Sequence, residues 1–405
     1  MPTNRLFRRM VQSATKRQVY IIAAARTPVG SFRSTLADLS AVELGGEAIK
    51  GALSKGKVNP EQIDAVYMGN VLSAGLGQAP ARQAALKANL PYSVTCTTIN
   101  KVCSSGLKAV SLGAGEISLG NSDLIVAGGM ESMSNAPFYV SGSVRRGIAM
   151  GNQNMNDAIL YDGLWDPMYQ CHMGECAERT AEKYQLSRQE QDEYAKTSYH
   201  RACEATLQGK FKEEIVPIAI TTKGKTKVTI SEDEEYRRID FEKMKELKPA
   251  FRSEKGTITA ANASTINDGA SAVILASEVH IKEYVPIAKI IGYADAECDP
   301  VDFSIAPSLA IPKVLQKTGL KIEEIDLFEI NEAFSSVILA NMKILEIPHE
   351  KMNIAGGAVA LGHPIGSSGC RILVTLINLL EKGQKGIAAV CNGGGGATAM
   401  IIEKM

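Results

Sequence analysis

The sequence predicts an α/β protein built from two homologous halves. The segment from Ser104 (SSGLKAVSLGAGEISLGNSDLIVAGG) aligns without a gap with the segment from Ser367 (SSGCRILVTLINLLEKGQKGIAAVCN). Each begins as a small-residue turn, continues as a helix-length apolar repeat and ends in a glycine-containing stop and a short apolar strand. Residues 60–66 and 322–328 form a second matching pair upstream, at nearly the same spacing. A period this long indicates duplicated domains, because solenoid repeats are much shorter.

Size and composition exclude several classes of protein. A chain of 405 residues should hold two or three domains. Hydrophobic residues at 45% and charged residues at 22% are enough for a large core. Lysine plus arginine, 44, equals aspartate plus glutamate, 44, so no overall basic charge favours nucleic acid as a partner. The sequence contains no run of about 20 apolar residues, so it does not predict a membrane span. Eight cysteines in a chain this long indicate reduced thiols rather than a disulfide framework.

The N-terminus has the composition of a mitochondrial presequence. The first 37 residues contain no Asp or Glu but several Arg and Lys, with apolar residues such as Leu6, Phe7 and Met10 between the bases. This segment can form a basic amphipathic helix, although a disordered basic tail is the alternative. We therefore assign residues 1–17 to a presequence and expect a location in the mitochondrial matrix.

The first half, residues 18–132 and 264–285, alternates strands with helices, which is the pattern of α/β layers. In chain order we predict a strand at 19–22, a helix at 41–53, a strand at 63–70, a helix at 81–88, the repeated helix at 107–119 and a buried strand at 124–129.

Residues 133–263 are predicted to form an insertion in the first half. Residues 133–168 are rich in Met, Asn, Ser and Gly, and two helices follow at 174–184 and 188–208. Ser187 and Glu190 form a capping box for the second helix, and Gly209 is its stop. The charged segment that follows, residues 232–248, either holds phosphates or is a solvated face. The second half covers residues 286–405.

Cys103 is the first candidate for chemistry. It lies in Asn100-Lys101-Val102-Cys103-Ser104-Ser105-Gly106, directly before the first repeated helix. Unpaired N–H groups and the helix dipole favour an anion at such a place. The pKa of this thiol is therefore predicted to fall from about 8.5 to roughly 3.5–7.5. A small buried cysteine is the alternative.

Three further polar stretches lie on predicted loops of the second half. They are Asn331-Glu332-Ala333-Phe334 after a strand, Gly362-His363-Pro364-Ile365-Gly366 before the second repeated helix, and Cys391-Asn392 with four glycines after the last repeat strand. Open α/β sheets place their sites at strand ends and helix starts. Each stretch alone has a structural explanation, but together with Cys103 they bring two thiols, an imidazole and an amide to equivalent ends of duplicated units.

The four motifs N-K-V-C-S-S-G, N-E-A-F, G-H-P-I-G-S-S-G and C-N-G-G-G-G resemble those of the thiolases, in order, from about Val19 to Met405. The stretches at 172–174, 233–236 and 259–264 are similar to those of the mitochondrial acetoacetyl-CoA thiolases within this family. The resemblance implies a fold of duplicated αβαβα layers, with two mixed five-stranded sheets and an inserted loop domain that forms a lid over coenzyme A. It also implies a homotetramer.

The activity implied by the resemblance is reversible cleavage of acetoacetyl-CoA, and of its 2-methyl analogue, by CoA, or condensation of two acetyl-CoA. Cys103 is the implied nucleophile and His363 its base, while Cys391 is the acid and base at the α-carbon. Asn331, through a water, and His363 form one implied oxyanion hole. The N–H groups of Cys103 and Gly393 form the other.

The resemblance also carries over contacts for ligands, with CoA as a substrate and no redox cofactor. Ser304 departs from the mitochondrial pattern, in which proline is expected, and makes the use of 2-methyl substrates an open question. The implied CoA contacts are Tyr199, Arg238, Ile239, Asp240, Lys243, Ser264 and His172. The implied potassium contacts, four of them through carbonyl groups, are Tyr199, Ala260, Ala261, Ala263 and Val359.

Competing interpretations remain at this stage. A broad-chain 3-ketoacyl-CoA thiolase of β-oxidation would differ in its chain-length profile. The second thiol, Cys391, argues against a related carrier-protein-dependent ketosynthase. The complete set of Cys103, His363, Asn331 and Cys391 argues against a non-catalytic lipid-binding protein. The sequence contains no C-x-x-C pair, which argues against a zinc site.

Overall fold

A mixed β-sheet continues through both halves of the molecule. The computed structural model describes residues 17–148, 150–221 and 226–405. In chain order the strands of this sheet are β1 Val19–Arg26, β2 Gly30–Ser31, β3 Ala65–Gly69, β4 Thr95–Ile99, β5 Leu124–Ser132, β6 Asn267–Ser277, β7 Ala288–Glu297, β8 Leu327–Ile330, β9 Lys385–Asn392 and β10 Gly396–Lys404. In space their order is β8-β9-β10-β7-β1-β6-β5-β3-β4, and the short β2 pairs with β6.

Helices cover both faces of this sheet and build much of the insertion. The α-helices are α1 Ala41–Gly56, α2 Pro80–Lys87, α3 Ser105–Leu119, α4 Met173–Lys183, α5 Arg188–Leu207, α6 Phe241–Met244, α7 Pro307–Thr318, α8 Ser335–Leu345, α9 Ala358–Leu361 and α10 Ile365–Leu379. Short strand pairs in the insertion join Phe138–Val140 to Met155–Asp157, Trp165–Asp166 to Cys171–His172 and Ile218–Thr221 to Lys227–Ile230. One-turn 3₁₀ helices lie at Pro60–Gln62, Met133–Asn135, Glu235–Arg237, His280–Lys282, Ile322–Glu324 and His349–Lys351, longer ones at Gly142–Arg146 and Pro300–Ile305, and a π-helix at Ile159–Leu164.

The two half-sheets have the same mixture of parallel and antiparallel pairs. In the first half, β4, β3 and β5 are parallel, and β6 and β1 continue antiparallel. In the second half, β8 and β9 are parallel, and β10 and β7 continue antiparallel. The expected pair of mixed five-stranded sheets differs from this arrangement in two details. Val19–Ile21 pairs with residues 288–290 and joins the halves, and a single bridge between Phe328 and Met352 stands where the fifth strand of the second half was expected.

Side chains alternate between the two faces of each strand, and this arrangement gives the expected αβαβα layers. In β5, Val126 packs with the outer helices α1 and α2, while Ile125 faces inward. In β9, Ile387 packs with the outer helices α7 and α8, while Ala388 faces inward. Successive side chains of a strand point to opposite faces, so each half-sheet is buried on both sides. The inner faces share one core with the two repeated helices, through Leu107, Val110, Ile117, Leu373, Leu376 and Ile377.

The repeated helices α3 and α10 touch through their glycines. A Cβ atom placed on Gly106 would lie 2.8 Å from the backbone N of Cys370. A Cβ on Gly369 would lie 2.6 Å from the backbone N of Leu107. Only glycine permits so close an approach of two backbones. The S-S-G stretch that revealed the repeat is therefore the place where the two halves pack helix against helix.

The insertion contains the two predicted helices, α4 and α5. Ser187 Oγ accepts a hydrogen bond from the Glu190 N–H (3.1 Å), and the Glu190 carboxylate accepts one from the Ser187 N–H (2.7 Å). This confirms the predicted capping box, which satisfies two N–H groups at the start of α5. Gly209, just past the end of α5, has φ +72°, a conformation that favours glycine at a helix stop.

The predicted presequence lies almost wholly outside the described residues, which begin at Arg17. Arg17 is held on the first half, because its Nη1 lies 2.9 Å from Asp123 Oδ1 and its N–H donates to the carbonyl of Ser118. Within the described residues, no helix has the length and apolar character needed to cross a membrane.

Candidate active site

The residue that follows Cys103 contacts the strand that carries Cys391. The Ser104 hydroxyl lies 2.9 Å from the carbonyl oxygen of Val390 and 2.8 Å from Asn392 Oδ1. These are the two neighbours of Cys391 along β9. The contact therefore places the Cys103 loop against the strand that carries Cys391. Burial raises the pKa of Cys391, and an interaction with Cys103 raises it further, which indicates that the two sulfurs are near each other.

Two backbone N–H groups point at the sulfur of Cys103. They belong to Gly393 and to Cys103 itself, and both lower the pKa of the thiol. Burial outweighs them and raises this pKa to about 12, with a further contribution from the negative charge of Glu131. The prediction of a thiolate at neutral pH is therefore wrong. Helix α3 begins only at Ser105, and desolvation opposes the charged form more strongly than two amide dipoles favour it.

His363 is a neutral imidazole in a fixed orientation. Its Nδ1 lies 2.6 Å from Ser368 Oγ, and Ser368 Oγ lies 3.0 Å from the carbonyl oxygen of Pro364. A carbonyl only accepts, so the Ser368 hydroxyl donates to it and accepts from the Nδ1–H. This leaves the lone pair on Nε2. Burial, helped by the charge of Arg371, lowers the pKa of His363 to about 3.

Asn331 faces the free nitrogen of this ring. Its Nδ2 lies 3.4 Å from His363 Nε2, and its N–H donates to the carbonyl of Ala389 on the neighbouring strand β9. The Asn331 Oδ1 atom is buried and has no hydrogen-bond partner among the described residues. A buried amide oxygen without a partner is costly, so this atom is suited to accept from a bound molecule.

Cys103 is close to the His363 loop as well as to β9. Ile365, two residues after His363, belongs to a small apolar cluster against which Cys103 packs. Gly393 is close too, because a Cβ built on it would lie 3.6 Å from Val102 Cγ1. The four predicted catalytic side chains thus come from loops that are joined by direct contacts.

Glu131 is a buried carboxylate near Cys103 that the sequence analysis did not single out. Its oxygens accept from Asn70 Nδ2 (2.8 Å) and from the N–H groups of Val71 (3.0 Å), Leu72 (3.2 Å) and Gly366 (3.0 Å). It therefore joins a loop of the first half to the His363 loop of the second. Burial raises its pKa to about 7 despite these donors. The available signal was a single acid at the end of an otherwise apolar strand, β5.

Glu332, next to Asn331, is a second buried carboxylate that was missed. Its Oε1 accepts from Tyr194 (2.7 Å) and Asn353 (2.9 Å), and its Oε2 accepts from Ser198 (2.7 Å) and from the N–H of Val359 (3.1 Å). Four donors from three parts of the chain hold the N-E-A-F turn against α5 and α9. Its position beside a candidate catalytic residue was the only sequence signal.

A cavity of about 710 Å³ opens beside the insertion. Arg238 and Lys243 are largely exposed at it, and Asp240 caps the short helix α6 by accepting from the N–H groups of Glu242 and Lys243. The two bases are therefore positioned to meet an anion arriving from solvent. The predicted CoA and potassium contacts that line this cavity are Tyr199, Arg238, Ile239, Asp240, Lys243, Ala260, Ala261, Ala263 and Ser264.

Two predicted contacts lie beside this cavity rather than on its wall. The His172 ring stacks on Phe251, a cavity residue, with 4.7 Å between ring centroids. Val359 packs in one apolar cluster with Tyr199 and Ala261. Ser304 is buried and is not part of the cavity wall; its carbonyl accepts from Asn341 and its hydroxyl has no partner among the described residues.

The residues expected to hold potassium meet one requirement for a hard monovalent cation. No hydrogen bond within the described part of the chain ends on the carbonyl oxygens of Ala260, Ala261 or Val359. Carbonyl oxygens are the ligands that potassium prefers in proteins. Among the same residues, no cluster of three or more His, Cys, Asp or Glu side chains is arranged to hold a metal ion.

Comparison with known proteins assigns the family. The family model for the thiolase N-terminal domain matches residues 19–279, and that for the C-terminal domain matches residues 284–404. The chain is 52% identical over 405 residues to the mitochondrial acetyl-CoA acetyltransferase of Mus musculus, covering 99% of this chain and 94% of that protein. It is 55% identical over 388 residues to the acetyl-CoA acetyltransferase of Yarrowia lipolytica, covering 95% and 96%.

A solved structure agrees with the sequence relatives. The Acat5 thiolase of Ascaris suum, in complex with coenzyme A, superimposes with a TM-score of 0.92 at 48% identity, covering 96% of this chain and 100% of the other. The predicted α/β class and the duplicated architecture are thereby confirmed. The chain belongs to the thiolase family.

Proposed function

We propose that this protein is an acetyl-CoA C-acetyltransferase. It cleaves acetoacetyl-CoA with CoA through an acetyl-Cys103 intermediate, and in reverse it condenses two acetyl-CoA. The observation that carries the proposal is the contact of Ser104 with both neighbours of Cys391, which joins the loop of one candidate thiol to the strand of the other. Relatives about 50% identical over nearly the whole chain bear the same activity in their names.

The first chemical step transfers a proton and an acyl group. Cys103 gives its proton to His363 Nε2, and its sulfur attacks the C3 carbonyl of acetoacetyl-CoA. With a pKa of about 12 for the thiol and about 3 for the imidazole, the neutral pair is favoured at rest. The ion pair therefore forms only as the attack proceeds. The N–H groups of Cys103 and Gly393 then stabilise the developing oxyanion, and one such donor is typically worth about 10²–10³ in rate.

Cleavage of the C2–C3 bond leaves acetyl-Cys103 and the enolate of acetyl-CoA. The protonated His363 donates to the enolate oxygen through the Nε2–H it has just gained, and Asn331 contributes through a bound water. Cys391 protonates C2 and becomes a thiolate. That thiolate takes the proton of the incoming CoA, whose sulfur attacks acetyl-Cys103. The second acetyl-CoA is released as the Cys103 sulfur leaves, and this sulfur takes back the proton held on His363 Nε2. Each thiol thus ends the cycle as it began.

Coenzyme A occupies the cavity beside the insertion in this proposal. Arg238 and Lys243 meet its phosphates, while Tyr199, Ile239, Asp240 and Ser264 line its path, and His172 lies near the pantetheine. The exposed position of the two bases supports this placement.

Potassium is proposed to bind beside the same cavity, at Tyr199 and the carbonyl groups of Ala260, Ala261, Ala263 and Val359. When bound it supplies positive charge that orders this wall. The support is that three of these carbonyls accept no hydrogen bond from the described residues. A dependence of the CoA KM on potassium, compared with sodium at equal ionic strength, tests this placement.

Substrate range is proposed to include 2-methylacetoacetyl-CoA. Ser304, the position that departs from the expected pattern, is buried and outside the cavity wall. Its buried side chain therefore does not line the path proposed for CoA. Cleavage of acetoacetyl-CoA compared with its 2-methyl analogue and with long-chain 3-ketoacyl-CoA tests this range. Much higher activity on long chains would instead favour a broad thiolase of β-oxidation.

The proposed setting is a homotetramer in the mitochondrial matrix. Several relatives are named as mitochondrial, and the acid-free N-terminus agrees with them. Large apolar side chains of the insertion are exposed, including Phe138 (62%), Tyr161 (60%) and Met168 (76%), as expected for an interface between subunits.

Two variants test the division of labour between the thiols. Cys103→Ser should lose acetyl-enzyme formation on incubation with acetyl-CoA, and its turnover should fall by at least about 10³-fold. Cys391→Ser should still form the acetyl-enzyme, detected by intact mass, but lose condensation. Equal loss of both steps in Cys391→Ser would contradict the proposed roles.

A further inference from the structure

A second pair of thiols lies outside the catalytic site. The sulfur atoms of Cys171 and Cys176 are 3.5 Å apart, and all eight cysteines of the chain are free. The S–S bond of a disulfide is about 2.05 Å long, so the two sulfurs need to approach by roughly 1.5 Å. Four residues lie between the two positions along the chain, and the proposed mechanism uses neither thiol.

The two cysteines differ in their access to solvent. Cys171 is half-buried on the short strand Cys171–His172, which pairs with Trp165–Asp166. Cys176 is fully buried in the first turns of α4, which begins at Met173. A small oxidant reaches Cys171 first and finds Cys176 already in contact behind it. This is the arrangement of an accessible thiol with a resolving thiol.

We propose that Cys171 and Cys176 form an oxidation site, at which a hydroperoxide converts the two thiols to an intrachain disulfide. Cys171 attacks the peroxide oxygen and becomes a sulfenic acid, releasing an alcohol, or water from hydrogen peroxide. The sulfur of Cys176 then attacks Cys171, the S–S bond forms, and the sulfenic oxygen leaves as water with the Cys176 proton. The two thiols are oxidised by two electrons and the peroxide is reduced by two. A dithiol reverses the reaction by exchange.

The site lies next to the proposed CoA pocket. His172 and Met173 stand between the two cysteines. The His172 ring stacks on Phe251, and a Cβ built on Gly393 would lie 3.5 Å from Met173 Sδ. His172 also caps α4, with its Nδ1 accepting from the Gly174 N–H at 2.9 Å. Drawing the strand and the helix together therefore moves a segment that borders both the cavity and Gly393.

The chain offers a direct test, because trypsin releases both cysteines in one peptide, residues 147–179, which contains no other cysteine. The wild-type protein is treated with hydrogen peroxide, and the reaction is quenched in acid. The protein is then unfolded, its free thiols are alkylated, and it is digested with trypsin. The expected peptide is lighter than the unmodified one by two hydrogens and carries no alkyl group. Treatment with dithiothreitol before alkylation should restore two alkylation sites.

Matched variants decide the result. Cys96→Ser, which removes another half-buried thiol, should give the same disulfide peptide as wild type. Cys171→Ser, a conservative change at a half-buried position, should give a peptide alkylated at Cys176. The proposal is overturned if peptide 147–179 from peroxide-treated wild type is still alkylated at both cysteines, and if peroxide consumes the other thiols to the same extent in wild type and in Cys171→Ser. It is also overturned if Cys171 passes to sulfinic acid without a disulfide.

Discussion

The two halves use the same serine for different purposes at the start of their repeated helices. In the first half, Ser105 Oγ accepts from the N–H of Lys101 (2.8 Å) and lies 2.6 Å from the carbonyl oxygen of Val102. In the second half, the equivalent Ser368 Oγ contacts the carbonyl of Pro364 and the ring of His363. One serine fixes a loop that carries a thiol; the other fixes an imidazole tautomer. The serine hydroxyl is thus present in both halves, but the group that it holds by hydrogen bonds differs between them.

The two halves also differ at the basic residue that lies four positions after the first serine of each repeat. Lys108 of the first half reaches Asp295 at 2.6 Å on the surface of the second half. Arg371, its equivalent, is buried, and its two terminal nitrogens have no hydrogen-bond partner among the described residues. Its charge helps to keep His363 neutral. The same basic position is thus a surface ion pair in one half and part of the site's electrostatics in the other.

The helix contact shared by both halves should give the largest effects on stability. Gly106→Ala and Gly369→Ala each place a Cβ under 3.0 Å from the backbone of the other helix, and each is expected to lower the free energy of unfolding by about 3 kcal/mol. Gly115→Ala is the control, since its Cβ meets only Tyr293 Oη at 3.4 Å and alanine favours a helix. Urea unfolding measures all three. A loss in Gly115→Ala as large as in the other two would rule out the contact as the cause.

Glu131, which joins the halves, should make stability depend on pH. Its pKa rises from 4.5 unfolded to about 7 folded, so the folded state holds the proton more tightly. The stabilisation from this group is complete below about pH 4.5 and is lost as the pH rises through 7, by about 3 kcal/mol in total. The difference in unfolding free energy between wild type and Glu131→Gln should therefore decrease across this range. Parallel curves would mean that Glu131 is ionised at a normal pKa.

The serine comparison predicts unequal effects on catalysis. Ser368→Ala frees the His363 ring to adopt the wrong tautomer and should lower kcat by about 10- to 100-fold. Ser368→Thr keeps the hydroxyl and should recover most of the loss. Ser105→Ala should instead appear chiefly as about 1 kcal/mol of stability, through lost loop hydrogen bonds. The steady-state rate and thermal unfolding are measured for all three variants; equal kcat losses for the two alanines would remove the distinction between the halves.

Lys108 should give the smallest effect. Its ion pair with Asp295 is partly exposed, and such pairs contribute about 0–1 kcal/mol. Lys108→Met is therefore expected to change the free energy of unfolding by less than about 1 kcal/mol, with the difference shrinking in high salt. A larger loss that persists in high salt would show that the lysine stem, rather than the charge, is needed for packing.

The repeat and the four motifs were readable from sequence because serines, glycines and apolar spacing are local features. The pKa of Cys103 was not, since it depends on burial by residues far away in the chain. Glu131 and Glu332 were missed for the same reason: the Gly366 N–H that Glu131 accepts from is 235 residues away. In the second half, the single bridge between Phe328 and Met352 takes the place of the expected fifth strand. No local feature of the sequence indicates that a bridge rather than a strand forms there.

The inner core has a consequence for how such a protein can arise. Ile125 and Ala388 face the same layer, and that layer consists of one helix from each half. A polypeptide carrying a single half would leave this face of its sheet uncovered in water. Such a half would need a second copy across this layer to cover that face. The inner core of the present chain thus has the form of a dimer interface contained within one molecule.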